Sequence, residues 1–174
     1  MMARTIGAVA GAAFAFLGGA AAAQSTNLVD TKTDWSVFVE NNPQKECWGV
    51  AQPKETVNSK DGKPVQVRRG DILLFVTFRP GSGAKGEISF TGGYPFAPGS
   101  TVTVEIGTNR FEMMTDGEWA WPTDAAAEGA VLAALKGGSQ AVLTARSARG
   151  TQTKDTFSLM GFTAAMQEAE NRCK

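Results

Sequence analysis

The clearest apolar run beyond the N-terminal region lies between Gly70 and Pro80. Positions 72 to 78 read ILLFVTF, so apolar side chains fall on both faces of an extended strand. β-branched and aromatic residues dominate the run, which is too short for a typical helix, and this favours a strand. The pattern predicts a central strand buried on both faces. Burial of each side chain is worth roughly 1.5–3 kcal/mol, so we expect other elements to pack around it.

Shorter apolar–polar alternations on either side predict further strands. The stretches 35–40 and 46–51 are separated by the turn-forming residues 41–44 and predict a hairpin. Asp116-Gly117 is a strong hairpin-turn dipeptide between two more apolar stretches. About ten short strands, with turn signals roughly every 8–12 residues, predict a mainly β fold. The expected architecture is an antiparallel β-sandwich or barrel.

One or two accessory helices complete the predicted fold. Thr123 or Asp124 can cap the first helix, which a pair of glycines ends after Lys136. Thr163 can cap a last, short helix, which we expect to end near Cys173. Both helices are short compared with the predicted strands taken together, so the sheet should determine the fold.

The N-terminal region has the features of a secretory signal peptide. Arg4 provides a short basic region, residues 6–17 form an apolar core, and Ala21-Ala22-Ala23 before Gln24 is a small-residue cleavage site. The core is too short and too rich in glycine for a typical membrane span, and an uncleaved anchor is the alternative. We predict three parts: a signal peptide (1–23), a flexible N-terminal segment (24–33) and a single β domain (34–174).

The charge of the chain is close to neutral. The 17 basic residues, less Arg4 of the predicted signal peptide, leave 16 against 17 acidic residues. No long run of one sign is present, which argues against nucleic acid or an anionic membrane surface as the partner. We also expect no membrane insertion after signal cleavage.

The chain has no histidine and two cysteines. The lack of histidine excludes Ser-His-Asp and Cys-His catalytic systems and the common histidine-containing zinc sites. Two cysteines cannot form a four-thiolate site, so we predict no metal site and no cofactor. Because the signal peptide indicates an oxidising compartment, the simplest prediction is a disulfide between Cys47 and Cys173. Two free thiols are the alternative.

The tryptophans are the strongest candidates for binding. Trp119 and Trp121 are two positions apart, so on a strand they share a face, next to the turn residue Asp116. An exposed pair of indoles can stack on sugar rings or bind an apolar peptide. The alternative, more common for tryptophan in a β-sandwich, is that both pack in the core. We predict that any recognition surface lies near this hairpin and includes Trp119, Trp121 and Asp116.

Three carboxylates, Asp116, Glu118 and Asp124, cluster around the same hairpin. A glycosidase needs two carboxylates at a defined separation across a cleft, and a sequence cannot show that separation. Turn formation and helix capping account for Asp116 and Asp124 without any catalysis. Hydrolysis of envelope glycan is therefore kept as an alternative function.

Several features follow one another in a fixed order between about residues 35 and 166. Asp34-Trp35-Ser36-Val37 precedes Cys47, and the central strand, a strand at 99–106 and the glycine-ended helix come next. The most specific stretch is FSLMGFTAAM at 157–166, where a strand passes through Gly-Phe into an alanine-rich helix. In this order and spacing, the chain resembles the invasion associated locus B family of bacterial envelope proteins.

The resemblance implies a secreted, mostly β domain in the periplasm or at the outer membrane of a Gram-negative bacterium. The founding member of the family is linked to host-cell invasion, but no established catalytic activity and no functional residues carry over. Many members of the family have a cysteine pair around the hairpin that is here 113–119, and this chain has none. A different bridging scheme is therefore implied, with Cys173 as the partner of Cys47.

Together, these observations predict a non-enzymatic protein that binds an envelope or host protein, in the periplasm, secreted, or associated with the outer membrane. The alternatives are a carboxylate-dependent hydrolase of envelope glycan and a small-ligand carrier. Two facing carboxylates in a cleft would favour the hydrolase, and an enclosed apolar cavity would favour the carrier. An exposed aromatic patch would favour the binding protein.

Overall fold

The computed structural model describes residues 27–174, so the predicted signal peptide and residues 24–26 lie outside the described part of the chain. The strands are β1 (Leu28–Lys32), β2 (Trp35–Glu40), β3 (Glu46–Ala51), β4 (Glu55–Lys60), β5 (Lys63–Pro64), β6 (Leu73–Arg79), β7 (Ala84–Thr91), β8 (Thr101–Ile106), β9 (Asn109–Asp116), β10 (Trp119–Pro122), β11 (Gln140–Arg146) and β12 (Gln152–Ser158). The helices are α1 (Ala125–Gly137) and α2 (Phe162–Arg172), and a short 3-10 helix spans Pro80–Ser82.

All of these strands belong to one sheet, in the order β1-β2-β3-β6-β7-β10-β9-β8-β11-β12-β4-β5. Every neighbouring pair is antiparallel, and β1 and β5 are the two edges, so the sheet is not closed. The predicted mainly β, antiparallel fold with accessory helices is confirmed. Its strands number twelve rather than about ten.

The sheet coils so strongly that its two halves face each other across one core. The ring of Phe90 on β7 lies edge-on to the ring of Phe157 on β12, with 6.1 Å between their centroids. At the start of β2, the indole Nε1 of Trp35 donates a hydrogen bond to the carbonyl oxygen of Ser158 at 3.0 Å. The halves therefore pack against each other like the layers of a sandwich, although the strands form one sheet.

The two helices close the open sides of this core. Asp124 caps α1 by accepting a hydrogen bond from the amide of Ala127 at 2.8 Å, as predicted. Phe162, at the start of α2, packs edge-on against Trp35 with 4.8 Å between ring centroids. The residue before α2 is Gly161 with φ near 88°, a left-handed conformation in which a β-carbon would collide with the Lys32 carbonyl.

Thr163 does not cap α2, contrary to the prediction. It lies inside the first turn of the helix, and no side chain accepts a hydrogen bond at the helix start. The chain turns from β12 into α2 at Gly161, whose left-handed conformation starts the helix without a capping side chain. At the other end, Cys173 directly follows α2 and forms the predicted disulfide with Cys47 of β3, with 5.7 Å between the Cα atoms.

Two other expectations differ from the structure. The segment 24–33 was predicted to be flexible, but Leu28–Lys32 is strand β1, paired along its length with β2. The strand is short and its apolar and polar residues alternate only weakly, so the sequence pattern does not reveal it. Pairing with β2, rather than a buried face, holds the strand in place. Strand β6 is buried along its inner face, whereas on its outer face Thr77 is buried and Leu73 and Phe75 are only half-buried. No second layer covers that outer face among the described residues.

Candidate functional site

Five aromatic side chains lie on the outer face of the sheet. They come from four strands: Phe38 of β2, Trp48 of β3, Phe75 of β6, and Trp119 and Trp121 of β10. Because side chains alternate along a strand, each of these residues has inward-facing neighbours that fill the core. We call these five residues the aromatic face.

The strand register brings the rings of the aromatic face together. Phe38 and Trp48 are direct cross-strand partners, and their rings stack with 5.5 Å between centroids and 6° between planes. Phe75 and Trp119 belong to strands separated by β7, yet their centroids are 5.8 Å apart. This contact is possible because β7 presents only the small side chain of Ser89 opposite Phe75.

The aromatic face contains two adjacent grooves. One, of about 600 Å³, runs along Phe38, Trp48 and Phe75. The other, of about 490 Å³, lies between Trp48, Phe75, Trp119 and Trp121. Since the two grooves share Trp48 and Phe75, they form one continuous surface of a size that suits a short stretch of polypeptide or a small ligand.

Acidic side chains dominate the rim of the second groove. Glu40, Glu46 and Glu87 line it with a single basic residue, Arg79. The guanidinium of Arg79 pairs with both Glu46 and Glu87, at 2.8 Å to each. Three carboxylates against one guanidinium leave a net negative charge beside the aromatic rings.

Glu40 is held in its charged form by the turn that follows β2. The backbone amides of Asn42 and Asn41 donate to its Oε1 at 3.0 and 2.7 Å, and the side-chain nitrogen of Asn27 donates to its Oε2 at 2.7 Å. These hydrogen bonds lower the pKa of Glu40 from its ordinary value. At neutral pH, the Glu40 side chain is therefore fixed in place and charged.

The tryptophans divide between the core and this surface. Trp35 is completely buried, whereas Trp119 is 40% exposed and Trp121 and Trp48 are half-buried. Trp119 and Trp121 share a face, as predicted, but that face is the outer one, so the more frequent core role does not apply to them. Asp116 is exposed and pairs in register with Trp119, at the turn end of the aromatic face.

The sequence and the fold both have counterparts among known proteins. The family model described as invasion associated locus B (IalB) protein matches residues 35–170. The chain belongs to the invasion associated locus B family. The crystal structure of invasion associated protein B from Bartonella henselae is similar, with a TM-score of 0.55 and 16% sequence identity over 82% of this chain and 95% of that chain. At this identity, the likeness supports the shared fold. No curated protein gives a significant match.

The three carboxylates near the β9–β10 hairpin serve different surroundings. Asp124 caps α1, Asp116 ends β9, and Glu118 lines a different cleft from the aromatic groove. Within residues 27–174, no group of three or more histidine, cysteine, aspartate or glutamate residues could hold a metal ion. In the same part of the chain, no helix has the length and apolar character needed to cross a membrane.

Three members of the aromatic face were missed by the sequence reasoning: Phe38, Trp48 and Phe75. The alternation along each strand places these residues opposite the core-facing Val37, Cys47 and Leu74 or Val76, but it does not show which strands are neighbours. Only the pairing order β2-β3-β6-β7-β10 brings them beside the predicted Trp119 and Trp121.

Proposed function

We propose that this member of the invasion associated locus B family is a non-enzymatic binding protein of the bacterial cell envelope, and that the aromatic face binds another protein. The observation that carries the proposal is the cluster of five aromatic rings on a sheet face that no other described element covers. Leaving apolar area in water costs about 25 cal/mol per Å², and aromatic residues dominate the energetics of protein interfaces.

The chemistry of the rim favours a particular kind of partner. The net negative charge of Glu40, Glu46, Glu87 and Arg79 complements a segment with basic side chains, and the rings complement apolar ones. A basic side chain over an indole also gains from cation–π attraction. The favoured occupant is therefore a segment of an envelope or host protein with both apolar and basic residues.

The alternatives have less support. A glycan hydrolase would use two carboxylates across one cleft, whereas Asp124 is engaged as a helix cap and Glu118 lines a different cleft from the aromatic groove. A small-ligand carrier would enclose its ligand, whereas the aromatic grooves open along the outside of the sheet. Neither the hydrolase nor the carrier hypothesis explains why five aromatic rings lie together on the outer face of the sheet.

We place the protein in the periplasm or at the outer membrane, on the basis of the N-terminal sequence features and the family. Export with cleavage after residue 23 accounts for the oxidised cysteine pair. Amino-terminal sequencing of protein from a periplasmic extract should begin at or near Gln24. Recovery of the uncleaved chain from the cytosol would contradict this location.

Site-specific photo-crosslinking in cells tests the binding face. A photoreactive amino acid replaces Met114, which is 49% exposed and pairs in register with Trp121, or the control position Val57 on β4, which is 47% exposed. We expect a discrete protein adduct from position 114 in the envelope fraction and none from position 57. The added variant Trp121→Ala should abolish the adduct at position 114.

Three results would contradict the proposal. One is the same adduct pattern from both positions, and another is an adduct at position 114 that Trp121→Ala leaves unchanged. The third is an adduct that resists protease but is degraded by glycan-cleaving enzymes, which would indicate a carbohydrate ligand instead of a protein.

A further inference from the structure

A second cleft, of about 530 Å³, lies between the segment that precedes β6, the loop after β7 and the β11–β12 turn. We call it the arginine cleft, after Arg68, Arg69 and Arg149, which line it together with Tyr94 and Thr153. We propose that the arginine cleft binds a small organic phosphate, with the phosphate group held by Arg68 and Arg149. This inference is independent of the aromatic face.

The floor of the arginine cleft is a rigid, buried ion pair. The side chains of Arg69 and Asp155 are 6% and 0% exposed, and their two nitrogen–oxygen contacts measure 2.7 and 2.5 Å. Nε of Arg69 also donates to the carbonyl oxygen of Gly92 at 2.8 Å. Because its donors are engaged and Asp155 neutralises it, Arg69 shapes the floor and leaves ligand binding to other residues.

Tyr94 extends this floor toward the opening. Its ring lies 5.0 Å from the guanidinium carbon of Arg69, and its hydroxyl is 2.5 Å from Oγ1 of Thr153. Burial raises the pKa of Tyr94, so its hydroxyl stays neutral at physiological pH. The floor thus offers one aromatic ring and the hydroxyl of Tyr94, while Thr153 is buried beneath and positions that hydroxyl.

The walls carry unpaired positive charge. Residues 27–174 contain seven arginines, of which Arg69, Arg79, Arg110 and Arg172 form ion pairs. Of the three that form none in this part of the chain, Arg68 and Arg149 line the cleft, and Arg146 ends β11 just before the β11–β12 turn. Glu118 is the one acidic residue among the lining residues. In a nearly neutral chain, this local excess of guanidinium groups indicates an anionic ligand.

The volume and the lining of the arginine cleft indicate which kind of anion it binds. Guanidinium groups match the oxygens of a phosphate through paired, charge-assisted hydrogen bonds. The volume exceeds what an inorganic phosphate fills, and Val67, Pro95 and the ring of Tyr94 provide apolar contact for a carbon skeleton. The partly exposed hydroxyl of Tyr94 suits a polyol. A polyol phosphate has this combination, either free, as in a sugar phosphate, or as the glycerol phosphate of a lipid headgroup.

The test is calorimetric titration of the purified oxidised protein with glucose 1-phosphate, inorganic phosphate and glucose, and flotation with phosphatidylglycerol vesicles. We expect glucose 1-phosphate to bind more tightly than inorganic phosphate, and glucose not to bind. The double variant Arg68→Gln/Arg149→Gln should weaken glucose 1-phosphate binding at least tenfold, because it removes both guanidinium groups that hold the phosphate. It should still fold, because both residues are exposed and the buried floor is unchanged. The control Arg110→Gln, an exposed arginine of β9, should bind like the wild type.

The outcomes separate clearly. Binding of vesicles in addition to the sugar phosphate, with the same loss in the double variant, would support the proposal with a lipid headgroup as the source of the phosphate. Absence of binding by glucose 1-phosphate would overturn it, whether or not the vesicles bind. So would equal binding by the double variant and the wild type, or an equal loss in Arg110→Gln.

Discussion

At the scale of single residues, the four tryptophans show that the same residue type has different roles at different positions of one sheet. Trp35 faces inward, is fully buried, and uses its indole nitrogen to bond the Ser158 carbonyl. Trp119 faces outward on β10 and keeps 40% of its surface in solvent. The physical difference between them is the direction of the side chain relative to the coiled sheet, which fixes what each can contribute.

This difference gives a stability prediction. Trp35→Ala removes a packed core side chain and should cost roughly 3–5 kcal/mol of unfolding free energy. Trp119→Ala removes an outer ring whose aromatic contact is Phe75, and should cost only about 1 kcal/mol. Urea denaturation of the two variants measures both values.

Trp35→Phe is the control if Trp35→Ala does not fold, because it keeps an aromatic ring and loses the hydrogen bond to Ser158. It should lie between the wild type and the alanine variant. Losses of similar size in Trp35→Ala and Trp119→Ala would contradict the assignment of Trp119 to an open surface.

At the scale of elements, the edge formed by β1 and β2 depends on charged hydrogen bonds. Three carboxylates there have pKa values below their ordinary ones, because of hydrogen bonds from lysine side chains for Asp30 and Asp34 and from backbone amides for Glu40. A carboxyl with a lowered pKa in the folded state stabilises the fold above its ordinary pKa, and that stability is lost as the pH falls through the lowered value.

We therefore predict that this edge loosens first on acidification. Amide hydrogen exchange in β1 should accelerate relative to the central strands as the pH falls below about 4, after correction for the intrinsic exchange rate. Glu40→Gln should reduce this pH dependence. The matched control is Glu170→Gln on α2, an exposed glutamate without a described partner, which should leave the dependence unchanged. Uniform acceleration across all strands would oppose the prediction.

Most elements could be predicted from local patterns. The hairpin of β2 and β3, the β9–β10 turn and helix α1 follow from alternation, turn residues and the Asp124 cap, and they are found at or close to the expected positions. Strand β1 could not, because its side chains do not alternate clearly between a buried and an exposed face. The partial exposure of the outer face of β6 could not be predicted either, because an apolar residue on a surface looks the same in the sequence as one in the core.

The candidate site was only partly predictable for a related reason. Trp119 and Trp121 are neighbours in sequence, so alternation alone puts them on one face. Phe38, Trp48 and Phe75 join them through pairings between strands that are distant in the chain, and no single-sequence pattern encodes that order. The arginine cleft depends in the same way on the contact between Arg69 and Asp155, which are 86 residues apart.

At the scale of the whole molecule, the disulfide joins the C-terminal end to β3, the third strand from one edge of the sheet. Cys47 and Cys173 are 126 residues apart in sequence, both are buried, and Cys173 directly follows α2. In the chain-entropy account, closing so long a loop constrains the unfolded state by roughly 4–5 kcal/mol, of which engineered bridges often realise less. α2 packs against β2 and β3 on the side of the sheet opposite the aromatic face. The disulfide therefore also fixes α2 against two of the strands that carry the aromatic face.

Removal of the bridge should lower stability without removing the fold. The double variant Cys47→Ala/Cys173→Ala is expected to lose about 2–5 kcal/mol in denaturant titration. The unreduced and reduced wild-type proteins should differ in intact mass by two hydrogens, and reductant should lower the melting temperature of the wild type alone. Two alkylatable thiols in the unreduced native protein would contradict the bridge.

The central claim is that the aromatic face recognises a protein segment with apolar and basic side chains. It is tested most directly by the indole N–H signals of the four tryptophans in a heteronuclear NMR titration. The probes are an extended peptide of alternating leucine and lysine, its leucine–glutamate counterpart, and chitotetraose. Trp35, buried and bonded to Ser158, is the internal control.

The lysine peptide should shift the signals of Trp48, Trp119 and Trp121 in a saturable way and leave that of Trp35 in place. Added salt should weaken the binding, because the acidic rim contributes to it. The account is contradicted if the glutamate peptide binds as well as the lysine peptide, if only chitotetraose shifts these signals, or if no probe moves them.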